Sequence, residues 1–112
     1  MQTKREDRID RMLQKELGEF FLHYAREKSG VIISVSDVKV SPDLSLAKVF
    51  LSIFPNEKAD EIFSIIKIDA KTIRYELGKR IRHQLRIIPE LNFIIDNSLN
   101  YLEKIDELLK NS

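Results

Sequence analysis

Between Asp69 and Leu91 the chain reads DAKTIRYELGKRIRHQLRIIPEL. Lys71, Arg74, Lys79, Arg80, Arg82 and Arg86 stand there against only Asp69, Glu76 and Glu90. At helical spacing Lys67, Lys71, Arg74, Gly78 and Arg82 share one face, with Tyr75, Lys79 and Arg86 flanking it. A guanidinium can hold a phosphate through two parallel hydrogen bonds. Each phosphate that a cation neutralises also releases counterions and adds salt-dependent affinity. Lys4, Arg8, Arg11 and Lys15 repeat the spacing near the start of the chain. The chemistry these residues suit is polyanion binding, with nucleic acid as the first partner to consider. The ordinary alternative is a solvated face balanced by Asp7, Asp10 and Glu76, and charge alone slightly favours it.

Other chemistries find little support. There is no cysteine, so thiol and disulfide chemistry are excluded, and His23 and His83 are the only imidazoles. Asp37, Asp43 and Asp96 do not have the spacing of a metal loop, and no glycine-rich phosphate loop is present. Ser41-Pro42-Asp43 reads as a rigid turn rather than a nucleophile. His83 sits within the basic segment, but one histidine supplies no triad. No metal, cofactor or small-molecule substrate is expected, and no enzyme. Nowhere do about 18 apolar residues run together, so no membrane span is expected. The opening MQTKREDRIDR lacks the apolar core of a secretory signal, and a cytoplasmic setting is the resulting expectation. The net charge is only +1 over 112 residues. Its distribution is uneven, because the stretch after Pro89 is acidic (Glu90, Asp96, Glu103, Asp106, Glu107).

The elements that must position these side chains can be read from periodicity. Ile9, Leu13, Leu17, Phe20, Phe21 and Tyr24 predict a helix over 4–27, opened by the capping-box spacing of Thr3 and Glu6 and closed by Gly30. Val31–Ser41 predicts a strand. Ile33 and Val35 alternate in one phase and Val38 and Val40 in the other, which implies a bulge near Ser36–Asp37. Pro42–Asp43 turns the chain into a second strand, Leu46–Phe54, apolar enough to be central, and Pro55–Asn56 stops it. From Glu57 the stripe Ala59, Ile62, Phe63, Ile66, Ala70, Ile73, Leu77, Ile81 gives one long helix or two meeting at a kink around Ala70–Thr72. Pro89 ends the helical region, and Leu91, Phe93 and Ile95 predict a third strand that Asn97–Ser98 breaks. Leu102, Ile105, Leu108 and Leu109 predict a terminal helix over 101–110. A hairpin followed by a helical crossover yields a three-stranded mixed sheet with helices on one face, an α+β two-layer domain.

The stretch VKVSPDLSLAKVFLSIFP, with the basic segment, Ile88-Pro89-Glu90-Leu91, Phe93, Asp96 and Ser98, resembles the ribosome-binding factor A family of bacterial small-subunit maturation factors. Arg5, Arg8, Ile9 and Leu17 extend the resemblance into the first helix, so it covers nearly the whole chain. The wording LQKELGEFF is most similar to Bacteroidetes-like versions. The resemblance implies a type II KH-like domain of order α-β-β-α-kink-α-β over 1–98, with a helical extension over 99–112. It implies that the usual glycine-rich clamp gives way to a kink element Ala-x-Gly, here Ala70, Lys71 and Thr72, with Thr72 in place of glycine. The Arg82–Pro89 span is longer than the family pattern by about two residues, judged from where proline interrupts a helix.

The resemblance also implies function: a non-enzymatic factor that binds free or immature 30S subunits through 16S rRNA and assists late maturation, including processing of the RNA 5′ end. Lys71, Arg74, Lys79, Arg82 and Arg86 are the expected RNA contacts, with Arg8, Arg11 and Lys15 added if the first helix borders the same surface. The protein is expected to act as a monomer. The competing reading is a protein-interaction or dimerisation module whose basic helix docks an acidic partner.

Overall fold

The computed structural model describes residues 4–28 and 30–96, with side chains from residue 7 onward. The order is α1 (Lys4–Arg26), β1 (Ile32–Val40), β2 (Leu46–Phe54), α2 (Asn56–Ile68), α3 (Ala70–Ile81) and β3 (Glu90–Ile95). It is a KH-like α+β fold. The terminal helix expected over 101–110, and the domain boundary at residue 98, lie outside the described residues.

Apolar residues three and four apart put one stripe of α1 on the sheet: Ile9, Leu13, Leu17, Phe21 and Ala25 are buried. Gly30, at φ +75°, takes the left-handed turn between α1 and β1, where a side chain would be strained. β1 and β2 pair antiparallel from Ile32↔Phe54 to Val40↔Ala47, and the register slips between Val35 and Asp37. The bulge therefore sits where the phase change placed it. It leaves backbone carbonyls turned out of the ladder, and side chains satisfy them. Gln14 of α1 donates through Nε2 to the Val35 and Ser36 carbonyls, both at 3.2 Å. Asp10, buried on α1, accepts from the Val40 N–H at 2.9 Å, so a carboxylate pins the end of an edge strand.

The turn between the strands is organised by one carboxylate. Asp43 Oδ1 accepts from Ser41 Oγ at 2.6 Å, Ser45 Oγ at 2.8 Å and Ser45 N–H at 3.2 Å. The Ser41 hydroxyl above all, then the Ser45 groups, hold the Asp43 carboxyl down to about 2. This is the structural role expected for Ser41-Pro42-Asp43.

β2 is central, as its composition implies, and β3 lies parallel to it in register Leu46↔Glu90 through Leu51↔Ile95. All three helices cover one face. Ile62 and Ile66 of α2, and Ile73, Leu77 and Ile81 of α3, complete the core with Val49, Leu51 and Phe93 from the sheet. Phe21 meets Phe93 edge-to-face at 5.9 Å. Fully burying one such side chain is worth about 1.5–3 kcal/mol.

Two expectations need correction. The kink falls at Asp69, not over Ala70–Thr72, and Thr72 lies inside regular α3. Asp69 adopts φ −84°, ψ 4°. Its N–H still donates to the Ile65 carbonyl at 3.0 Å and its carbonyl still accepts from the Ile73 N–H at 2.9 Å, so the axis bends without losing the helical bonds that flank it. The helical region also stops well before Pro89. α3 ends at Ile81, whose carbonyl accepts from Gln84 N–H at 2.8 Å and Leu85 N–H at 3.0 Å. The chain then runs irregularly to β3, because Leu85 and Ile88 turn in to pack on the core and Pro89 is fully buried.

Candidate nucleic-acid interface

The helical wheel of the basic segment survives as a surface. Lys67, Lys71, Arg74, Gly78 and Arg82 line one groove together with Ile88, Glu90 and Leu91, and it encloses about 1090 Å³. α2 and α3 supply one wall, and the segment leading into β3 supplies the other. Ala70, Tyr75 and Lys79 also border it. Gly78 faces Ile88 across the groove: a Cβ there would lie 3.4 Å from Ile88 Cγ1, an ordinary van der Waals contact. Arg82 caps α3 in right-handed helical geometry (φ −56°, ψ −25°), which keeps its side chain on the groove face although α3 proper has ended.

The cations are not equivalent. Lys71 and Arg82 are exposed and, among the described residues, form no ion pair. Lys79 lies 3.5 Å from Glu76 and 4.7 Å from the Tyr75 ring centroid, so it is held along the rim by a carboxylate and a π-face. Arg74 is a strut. Its Nη2 donates to the Ile88 carbonyl at 2.6 Å and its Nε to the Pro89 carbonyl at 3.2 Å. Those carbonyls belong to the wall opposite α3, so the guanidinium ties the two walls together while part of it still faces the groove. Arg80 points the other way, into the seam with α1, where Glu16 and Glu19 accept from it at 3.0 and 2.7 Å. Its charge is paired within the protein, at the surface seam between α1 and α3.

Arg86 is exposed in the segment before β3 and does not line the groove. Arg8, Arg11 and Lys15 are exposed on α1, on the flank away from its buried stripe. Glu16 and Glu19 of α1 reach Arg80 of α3. None of Arg8, Arg11 and Lys15 lines the groove.

The basic pattern did not single out the apolar and positioning parts of the site. Ile68 lines the groove at 82% exposed, and Tyr75 borders it at 65%. Ile68 is detectable in principle, because it is out of phase with Ile62 and Ile66. The kink has a tether that no local pattern announces. Tyr24 Oη on α1 donates to Asp69 Oδ2 at 2.8 Å, and Lys28 Nζ sits 4.0 Å from the Tyr24 ring centroid. Burial, reinforced by the bond to the Asp69 carboxylate, pushes the Tyr24 phenol well above its usual range. Among the described residues no cluster of histidine or carboxylate groups is arranged to hold a metal ion. No described helix is long and apolar enough to cross a membrane.

Comparison with known proteins finds relatives in both sequence and fold. The chain is 45% identical over 111 residues to ribosome-binding factor A of Flavobacterium psychrophilum, covering 97% of this chain and 85% of that one. It is 37% identical over 111 residues to the Staphylococcus carnosus protein of the same name, covering 98% and 95%. The crystal structure of ribosome-binding factor A from Thermus thermophilus superposes with a TM-score of 0.64 at 21% identity, over 80% of this chain and 94% of that one. A Thermus thermophilus homology model fitted into a cryo-EM map of a 30S–RbfA complex gives 0.62 at 22% identity, over 78% and 90%. The family model described as Ribosome-binding factor A matches residues 5–109, and the chain belongs to that family.

Proposed function

We propose that this protein binds free or immature small ribosomal subunits through 16S rRNA and assists their late maturation, including processing of the RNA 5′ end. The carrying observation is the groove, in which Lys71 and Arg82 stand uncommitted beside an exposed aromatic ring and an exposed isoleucine. Lysine and arginine supply phosphate contacts there, and Tyr75 and Ile68 offer flat and apolar surface to an unpaired base. The relative fitted into a 30S complex supports the same partner. The action is binding and conformational guidance rather than covalent chemistry, and the protein works as a monomer in the cytoplasm.

Within this reading Lys71, Lys79 and Arg82 contact RNA directly. Arg74 holds the groove open to the RNA and offers its remaining N–H groups. Arg86 adds a contact from the segment before β3, and Arg8, Arg11 and Lys15 add phosphate contacts from the α1 face. Co-sedimentation tests the reading: Lys71→Glu with Arg82→Glu abolishes pelleting with purified small subunits at moderate salt, while the variant keeps its folded spectrum. A folded double variant that pellets like the parent protein overturns it.

A further inference from the structure

The bend between α2 and α3 decides how the groove is assembled. Lys67 and Ile68 line it from α2, and Lys71 and Arg74 line it from α3. Their relative placement therefore depends on the angle at Asp69. A sharp kink has an identifiable cause, in proline, glycine or an inserted group. Residues 67–72 read KIDAKT and contain neither proline nor glycine. The bonds from Asp69 N–H to Ile65 and from Ile73 N–H to Asp69 are those of a continuous helix, so they do not set the bend. Packing is thin there as well: no residue between Ile66 and Ile73 is buried, although Ala70 packs partly on the core.

One side chain reaches this joint from another element. Tyr24 Oη of α1 donates to Asp69 Oδ2 at 2.8 Å, and among the described residues no other side-chain hydrogen bond reaches 67–72. The Tyr24 ring is itself a fixed post. Phe20 and Phe21 pack on it, each with its centroid at 5.7 Å, and Lys28 Nζ lies 4.0 Å from the ring centroid. Phe21 in turn meets Phe93 of β3 edge-to-face. Phe93 lies two residues beyond Leu91, in the strand that continues the opposite wall of the groove. Both walls are therefore referenced to one aromatic stack on α1: β3 through Phe93 and Phe21, and the joint through Tyr24.

We infer that Tyr24 is a positioning residue for RNA binding: its hydroxyl sets the bend at Asp69, and so the placement of Lys67 and Ile68 against Lys71 and Arg74. The inference rests on the groove as the RNA site. Tyr24 lies on the other side of the joint, in a cleft between α1 and α3 with Phe20, Asp69 and Thr72, and does not line the groove. It therefore acts through Asp69 and not by touching RNA in the groove. A joint that samples other bends binds in proportion to the time it spends at the right one. Losing one hydrogen bond from it should weaken binding about fivefold.

The test is co-sedimentation of the full chain with purified small subunits at several salt concentrations, using Tyr24→Phe, which keeps the ring and its packing. The expected result is affinity about fivefold below the parent with the salt slope unchanged, because no cation is lost. Ile33→Val, buried on β1 at the other edge of the sheet from β3, costs similar stability and should bind like the parent. Asp69→Asn still presents an oxygen to Tyr24, so it should bind more tightly than Asp69→Ala, which loses the same charge. In the Tyr24→Phe background that difference should vanish. Parent-like binding by Tyr24→Phe, where Lys71→Glu with Arg82→Glu has lost binding, overturns the inference and leaves the groove reading standing. An equal loss in Ile33→Val, or a difference between the two Asp69 variants that survives without the hydroxyl, also overturns it. Parent-like binding by Lys71→Glu with Arg82→Glu overturns the groove reading itself, and the inference with it.

Discussion

Replacing Lys71 and Arg82 together by glutamine should change the salt dependence of subunit binding by a calculable amount. Both side chains are exposed on the groove and, among the described residues, make no ion pair. Each phosphate contact contributes about 0.7 to the slope of log K against log salt for a single strand and about 0.9 for a duplex. Losing both contacts therefore flattens the slope by about 1.4 to 1.8. Raising salt from about 50 to 200 mM should then narrow the affinity gap between parent and variant by about tenfold. The assay is co-sedimentation with purified small subunits, titrated at several salt concentrations. Arg80→Gln is the control: it removes one positive charge from the same helix, but Glu16 and Glu19 already hold that guanidinium at 3.0 and 2.7 Å. Its slope should match the parent. An unchanged slope in the double variant, or an equal change in Arg80→Gln, would refute the argument that free cations on the groove face carry the binding.

Individual contacts give further expected outcomes. Arg74→Ala leaves the Ile88 and Pro89 carbonyls without their donor and should cost about 1–3 kcal/mol in urea unfolding. Arg74→Lys cannot make both bonds and should recover only part of that. Tyr24→Phe removes the tether on the kink and should cost about 1 kcal/mol, with faster amide exchange around Asp69 as its signature; unchanged exchange there would show that the kink holds without α1. Asp43 titrates near 2 instead of its usual 3.8. The folded form is the more acidic, so its contribution is complete above 3.8 and lost as pH falls through about 2. A carboxyl carbon titration gives the midpoint, and Asp43→Asn should remove that part of the acid dependence. Leu13→Ala, at a fully buried position under the sheet, should cost about 2–5 kcal/mol by thermal or urea unfolding.

The elements themselves were legible because their signals are local. A period near four in α1 and α3, a period of two in the strands, and a one-residue slip at Ser36–Asp37 are each contained within a few consecutive residues. So was the candidate face: Lys67, Lys71, Arg74, Gly78 and Arg82 share a side of any helix drawn through them. The end of α3 was not legible. Its stop depends on Leu85, Ile88 and Pro89 finding the core, and the run before Pro89 carries no local breaker.

Sequence alone determined that this protein has a basic helical face, a central second strand and a bulged first strand, since backbone geometry turns spacing directly into sidedness. Only the tertiary structure decided what each cation does. Arg80 is neutralised by carboxylates more than sixty residues away in the chain. Arg74 is tied to carbonyls across the groove, the kink sits at Asp69 under the Tyr24 hydroxyl, and Lys71 and Arg82 keep their charge facing outward. Charge is written in the sequence, but whether it is available depends on which partners the fold brings within hydrogen-bond distance, and those partners come from distant parts of the chain.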